Sequence, residues 1–389
     1  MKTIGVVGAG AMGAGIAQVA ATRGHAVVLC DSAPGAVTGA RDVIQGALGR
    51  EVDKGRLGAD AATAAMGRLT IADAPPSLDV FRDCDLVIEA IVERLDVKQE
   101  TFRSLEQVVA PECILATNTS SLSIAAIAAA CTRPERVIGA HFFNPAPVMP
   151  LVEVVPGLRT AADVTTAVRT LLEGWGKTTV IAADTPGFIV NRIARPFYGE
   201  SLRIYEEGLA DAPTIDWAMR ELGGFRMGPF LLMDFIGHDV NYAVTESVWQ
   251  ATYYDPRYRP SITQRRLVDA GWLGRKRGRG FYDYHPDAPP RPAVEDRVAG
   301  ARLVDRILAM LVNEAVDAVH WKLASPEDID LAMTKGVNYP KGLLAWGNEI
   351  GLDRVLTVID ALRDDYGEDR YRPSPLLRRM ARDGRRFFA

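Results

Sequence analysis

The sequence predicts an α/β protein: one domain of alternating strands and helices over residues 1–183, then two repeated all-α domains over 184–286 and 296–389. Three observations predict it. Short apolar runs alternate with longer helical patterns to about residue 182, as βαβ units on a parallel sheet do, and from Asp184 onward the strand signal stops. A glycine-rich turn directly follows the first apolar run. The helical part repeats itself at an offset of 114 residues, Ile215-Asp216-Trp217-Ala218-Met219 matching Ile329-Asp330-Leu331-Ala332-Met333.

In chain order, the expected strands are 3–8, 26–30, 85–90, 113–117 and 136–141, with others near 150–155 and 178–182. Helices are expected at 12–23, 33–54 and 94–109. The Pro-rich stretch His285 to Pro292 reads as a linker between the helical copies. The repeat also pairs Gly228 with Gly342, and Ile236-Gly237-His238-Asp239 with Ile350-Gly351-Leu352-Asp353. After one deletion, Arg257-Tyr258-Arg259-Pro260-Ser261 matches Arg370-Tyr371-Arg372-Pro373-Ser374. Copies this alike descend from a duplication and are expected to pack about a pseudo-two-fold axis, as isologous subunits do.

A net charge of −4 gives no reason to expect nucleic acid or an anionic membrane as partner. Cys30, Cys84, Cys113 and Cys131 show no C-x-x-C spacing, so no metal site or disulfide framework is expected and a reducing compartment fits. The first residues enter a strand without a signal-peptide pattern, and no run reaches the length of a membrane span; cytoplasm is the expected location.

Gly8-Ala9-Gly10-Ala11-Met12-Gly13 is G-x-G-x-x-G between an expected strand and a helix of small residues, the context of a Rossmann-type dinucleotide site. Gly8 permits the tight turn, Gly10 removes a side chain that would block a pyrophosphate, and Gly13 lets helix and sheet pack closely. The helix start then offers N–H groups and a positive dipole end to phosphates. Asp31, at the end of the second strand, can accept hydrogen bonds from ribose hydroxyls and repels a 2′-phosphate, so NAD is favoured over NADP.

His141 ends the run Val137-Ile138-Gly139-Ala140-His141, where a side chain faces the crevice at the carboxyl ends of the strands. Glu153 lies inside Leu151-Val152-Glu153-Val154-Val155, and a carboxylate in such a run is costly unless paired. An imidazolium partner would meet that need and fix the histidine tautomer, leaving His141 suited to general acid–base work.

The run His141-Phe-Phe-Asn-Pro-Ala-Pro-Val-Met-Pro-Leu-Val-Glu153 closely resembles a motif of the 3-hydroxyacyl-CoA dehydrogenases. So do Ala116-Thr117-Asn118-Thr119-Ser120-Ser121-Leu122 and Asp184-Thr185-Pro186-Gly187-Phe188-Ile189-Val190-Asn191-Arg192. With the second helical copy, the resemblance spans nearly the whole chain. It implies that His141 is the catalytic base, Glu153 its orienting carboxylate, and Ser120 and Asn191 hydrogen-bonding groups for the substrate's 3-oxygen or the histidine. It further implies that Glu93, Lys98 and Asn118 line the nicotinamide end of the cofactor pocket. Pro150 departs from the many members that carry a basic residue there. Ser120 could also cap a helix starting near Leu122, Asn191 could be a surface amide, and Glu93 and Lys98 could be ordinary charges at the front of helix 94–109.

The family resemblance implies an acyl-CoA substrate and places the chain in fatty acid metabolism, β-oxidation or aromatic-compound degradation. Arg50, Lys54 and Arg56 fall where the family's CoA-facing helix lies, though a solvated helix face would look the same. Gly223 to Pro229 and Ile236 to Asn241 most resemble members acting on 3-hydroxyadipyl-CoA or 3-hydroxybutyryl-CoA, and Arg226 could meet a distal carboxylate. A dehydrogenase of a free hydroxy or sugar acid, and a non-catalytic NAD-binding protein of the crystallin kind, remain as alternatives. Asp305 stands opposite Asn191 in the repeat, so the second copy lacks the amide and reads as a structural partner. The helical copies would then form an internal pseudo-dimer, in a chain that is a monomer or a homodimer.

Overall fold

The expected apolar runs of the first half become strands largely buried on both faces, as strands sandwiched between helices must be, while an edge strand at 69–73 leaves Thr70 exposed. They are β1 (Thr3–Val7), β2 (Ala26–Asp31), β3 (Leu69–Asp73), β4 (Leu86–Glu89), β5 (Ile114–Thr117), β6 (Val137–Phe142), β7 (Leu151–Pro156) and β8 (Thr178–Ile181). Among the described residues these form one sheet in the order β3-β2-β1-β4-β5-β6-β7-β8. The helices are α1 (Ala11–Thr22), α2 (Ala36–Asp53), α3 (Ala59–Gly67), α4 (Leu95–Val108), α5 (Ile124–Ala128) and α6 (Ala162–Gly174). The computed structural model describes residues 2–73 and 78–388, in two units, Met1–Thr185 and Pro186–Ala389.

Three details correct the sequence reading. β7 runs antiparallel to β6, whereas every other pairing is parallel. The connector 143–150 is shorter than a parallel crossover requires, so the chain has to reverse. The helix expected from residue 33 starts at Ala36, because Gly35 sits in the left-handed region at φ 74°. α3 and the edge strand β3 were not expected at all.

In the second unit the first copy contains α7 (Val190–Ile193), α8 (Arg195–Glu206), α9 (Ala212–Trp217), α10 (Pro229–Ile236), α11 (His238–Ala251) and α12 (Ile262–Asp269). The second contains α13 (Arg297–His320), α14 (Pro326–Gly336), α15 (Leu343–Ile350), α16 (Leu352–Tyr366) and α17 (Pro375–Arg382). α13 is continuous where the first copy breaks between α7 and α8. Pro196 explains the break: it lies in the first turn of α8, and the repeat carries Met310 there.

Matching residues do matching work. Asp216 accepts the N–H groups of Phe230 and Leu231 at the start of α10, both at 2.9 Å, and Asp330 accepts those of Leu344 and Ala345 at the start of α15. Gly228 and Gly342 are needed beside these carboxylates, since a Cβ on either would fall within 2.4 Å of the aspartate. Between the copies the contacts are reciprocal. Arg192 Nε donates to Glu314 at 3.1 Å, and its repeat partner Arg306 donates to Glu200 at 2.5 Å. Tyr258 donates to Glu314 and Tyr371 to Glu200, with all six side chains buried.

Candidate active site

The first βα turn is shaped by contacts that allow no side chain. Gly8 has φ 102°, and a Cβ there would lie 2.5 Å from the carbonyl oxygen of Ala90; one on Gly13 would lie 1.8 Å from that of Gly8. Gly10 differs, because a Cβ there would meet nothing within 4 Å. No protein contact demands that glycine, whereas a ligand laid against the backbone would. No side chain caps α1, so the first turn, at Ala11, Met12 and Gly13, presents its N–H groups and dipole outward. Asp31 accepts from the Ala9 N–H at 2.6 Å and the Ala33 N–H at 2.8 Å, so it also fastens the glycine turn, a role the sequence did not disclose.

His141 and Glu153 stand directly opposite each other across the antiparallel β6–β7 pair. Their side chains meet at 2.6 Å, Nδ1 to Oε2, with both buried. The antiparallel turn that was not foreseen is therefore what brings them together. The ring of Phe143 packs 4.6 Å from the imidazole. Asn118 Oδ1 accepts the N–H of Phe142 at 2.8 Å, tying the end of β5 to the residue after His141.

Glu93 and Lys98 are not independent surface charges. Lys98, in the first turn of α4, is buried, with its ammonium 2.6 Å from Glu89 and 3.3 Å from Glu93. Glu93 accepts from the Thr119 hydroxyl and from the N–H groups of Ser120 and Ser121. Its side chain is partly exposed; the desolvation it does undergo would raise this carboxyl, but the Lys98 charge and these hydrogen bonds hold it below its ordinary value. Ser120 itself does not cap the next helix: that helix is α5, and Ser123 caps it by accepting from the Ala126 N–H.

The family model of the 3-hydroxyacyl-CoA dehydrogenase NAD-binding domain matches residues 3–185, and that of the C-terminal domain matches twice, at 187–284 and 303–386. The chain belongs to the 3-hydroxyacyl-CoA dehydrogenase family. It is 40% identical to a 3-hydroxyadipyl-CoA dehydrogenase of Escherichia coli K12, over 98% of both chains. It is 45% identical to a probable 3-hydroxybutyryl-CoA dehydrogenase of Deinococcus radiodurans, over 72% of this chain and 99% of that one. A crystal structure of a 3-hydroxybutyryl-CoA dehydrogenase from Escherichia coli K12 superposes with a TM-score of 0.92, at 39% identity over 98% of both chains.

Membership makes the chain an NAD-dependent oxidoreductase, and the bare Gly10 face fits that cofactor. The remaining expected residues are less gathered. Asn191 is half-buried in α7 of the helical unit, and its counterpart Asp305 is paired with Arg354 at 2.8 Å. Lys54 directly follows α2, exposed, 3.6 Å from Glu51, which Arg56 shares at 3.7 Å. Arg226 is exposed beside the buried ring of Phe225. Glu89 was missed, although it ends the apolar run Leu86-Val87-Ile88 as Glu153 interrupts its own. No helix among the described residues is long and apolar enough to cross a membrane.

Proposed function

We propose that this dehydrogenase oxidises the 3-hydroxyl of a (3S)-3-hydroxyacyl-CoA with a short or dicarboxylic acyl chain, using His141 as base. The buried His141–Glu153 pair carries the reading. Glu153 holds Nδ1, so the other ring nitrogen, Nε2, is the one that exchanges a proton with the substrate, and the carboxylate steadies the imidazolium that results. NAD, when bound, supplies the hydride acceptor at C4 of its nicotinamide. Ser120 and Asn191 hydrogen-bond the 3-oxygen, whose charge develops during transfer. Gly8, Gly10, Ala11, Met12, Gly13 and Asp31 hold the adenosine and pyrophosphate, and Glu93, Lys98 and Asn118 border the nicotinamide end.

The names of the full-length relatives support a 3-hydroxyadipyl or 3-hydroxybutyryl chain. Arg226 then serves a distal carboxylate and Lys54 a CoA phosphate. The second helical copy stands in for a partner subunit, so the helical unit is an internal pseudo-dimer. The test is a panel of 3-hydroxybutyryl-CoA, 3-hydroxyadipyl-CoA and free 3-hydroxybutyrate, each with NAD and NADP. CoA thioesters should be turned over with NAD at least about tenfold more efficiently than with NADP, and Arg226→Ala should slow only the dicarboxyl substrate. Preference for the free acid would overturn the substrate reading.

A further inference from the structure

Glu89 is fully buried at the end of β4, beneath the turn that carries Ser120. One carboxylate oxygen accepts the Lys98 ammonium at 2.6 Å and the Ile91 N–H at 2.7 Å; the other accepts the Thr117 hydroxyl at 2.7 Å. Its carbonyl accepts the Asn118 N–H at 2.8 Å. Lys98 continues to Glu93, and Glu93 holds the Thr119 hydroxyl and the N–H groups of Ser120 and Ser121. One carboxylate therefore links the ends of β4 and β5 to the start of α4, at the edge of the site.

We propose that Glu89 is a positioning residue, which acts through Lys98 and Glu93 to fix the turn bearing Ser120. Its charge is what matters. Lys98 sits closer to Glu89 than to Glu93, so the ammonium is shared and Glu93 keeps its oxygen on the turn. With Glu89 neutral, the whole attraction falls on Glu93, which is drawn inward and away from the Ser120 and Ser121 N–H groups. Glu89→Gln preserves shape while removing that charge.

The inference rests on Ser120 serving the 3-oxygen, and the experiment separates the two. Wild type, Glu89→Gln, Lys98→Met and the double variant are assayed with 3-hydroxybutyryl-CoA and NAD, and NADH binding is measured by fluorescence. Glu89→Gln should lower kcat about tenfold or more with NADH affinity within about threefold, and the double variant should stay within about threefold of Lys98→Met, since the charge of Glu89 acts mainly through Lys98. A kcat within about twofold of wild type, or effects that multiply in the double variant, overturns the proposal. An inactive wild type would remove the substrate reading instead. A crystal structure of Glu89→Gln reports independently of turnover: lengthened Glu93 contacts to Ser120 and Ser121 support the proposal, and an unmoved turn overturns it.

Discussion

Lys177 is a buried cation whose hydrogen bonds go to carbonyls, those of Ala146 at 2.5 Å and Met149 at 2.8 Å. It therefore clamps the 143–150 connector between the strands bearing His141 and Glu153. Burial, with Arg23 nearby, brings its ammonium from an ordinary 10.5 down to about 8. Between those values the unfolded chain binds more protons than the folded one, so the Lys177 contribution to stability rises with pH and falls away as pH drops through 8. Denaturant unfolding of wild type and Lys177→Met at pH 8 and pH 10 should show the difference moving in favour of wild type at the higher pH. A difference independent of pH would mean that Lys177 titrates alike in both states.

Among the elements, the glycine turn separates packing from ligand binding. A Cβ at Gly10 meets nothing and its φ of −67° suits any residue, so Gly10→Val should leave unfolding free energy within about 0.5 kcal/mol and weaken NADH binding at least about tenfold. Gly13→Ala should instead destabilise by about 1–3 kcal/mol or more, because its Cβ would lie 1.8 Å from the Gly8 carbonyl oxygen. Equal loss of stability in the two variants would contradict this division. The turn and the strands beside it were legible because apolar runs, glycine spacing and helix period are local properties. The direction of β7 was not, since it depends on connector length rather than on the strand's own residues. β3 hid because it is a short edge strand with Thr70 and Asp73 among its five residues. Glu153 could be found from its cost in an apolar run; Glu89 carried the same signal at a strand end, where a carboxylate looks affordable. The partners of Glu93 lie near residue 120 and could not be read from its own neighbourhood.

For the whole molecule, the repeat was legible as a match in sequence, but the reciprocal ion pairs across it were not. Arg192 and Glu200 depend on Glu314 and Arg306 from the other copy, and a buried pair that loses one partner costs about 3–5 kcal/mol. Cutting the chain near Pro289 should therefore yield an insoluble or newly dimeric fragment, read by size-exclusion chromatography with light scattering. A monomeric, soluble and fully active fragment would show that the second copy is an appendage. Asp305→Asn should leave turnover unchanged, since that position is already engaged by Arg354.

The pair His141–Glu153 is the centre of the account, and the kcat of His141→Ala on 3-hydroxybutyryl-CoA with saturating NAD tests it most directly. Loss of the base should lower kcat by ~10²–10⁴ while NADH affinity stays within about threefold, because the imidazole moves a proton and does not hold the dinucleotide. Turnover within a few-fold of wild type would show that another group takes the 3-hydroxyl proton, and that the buried pair serves only the fold.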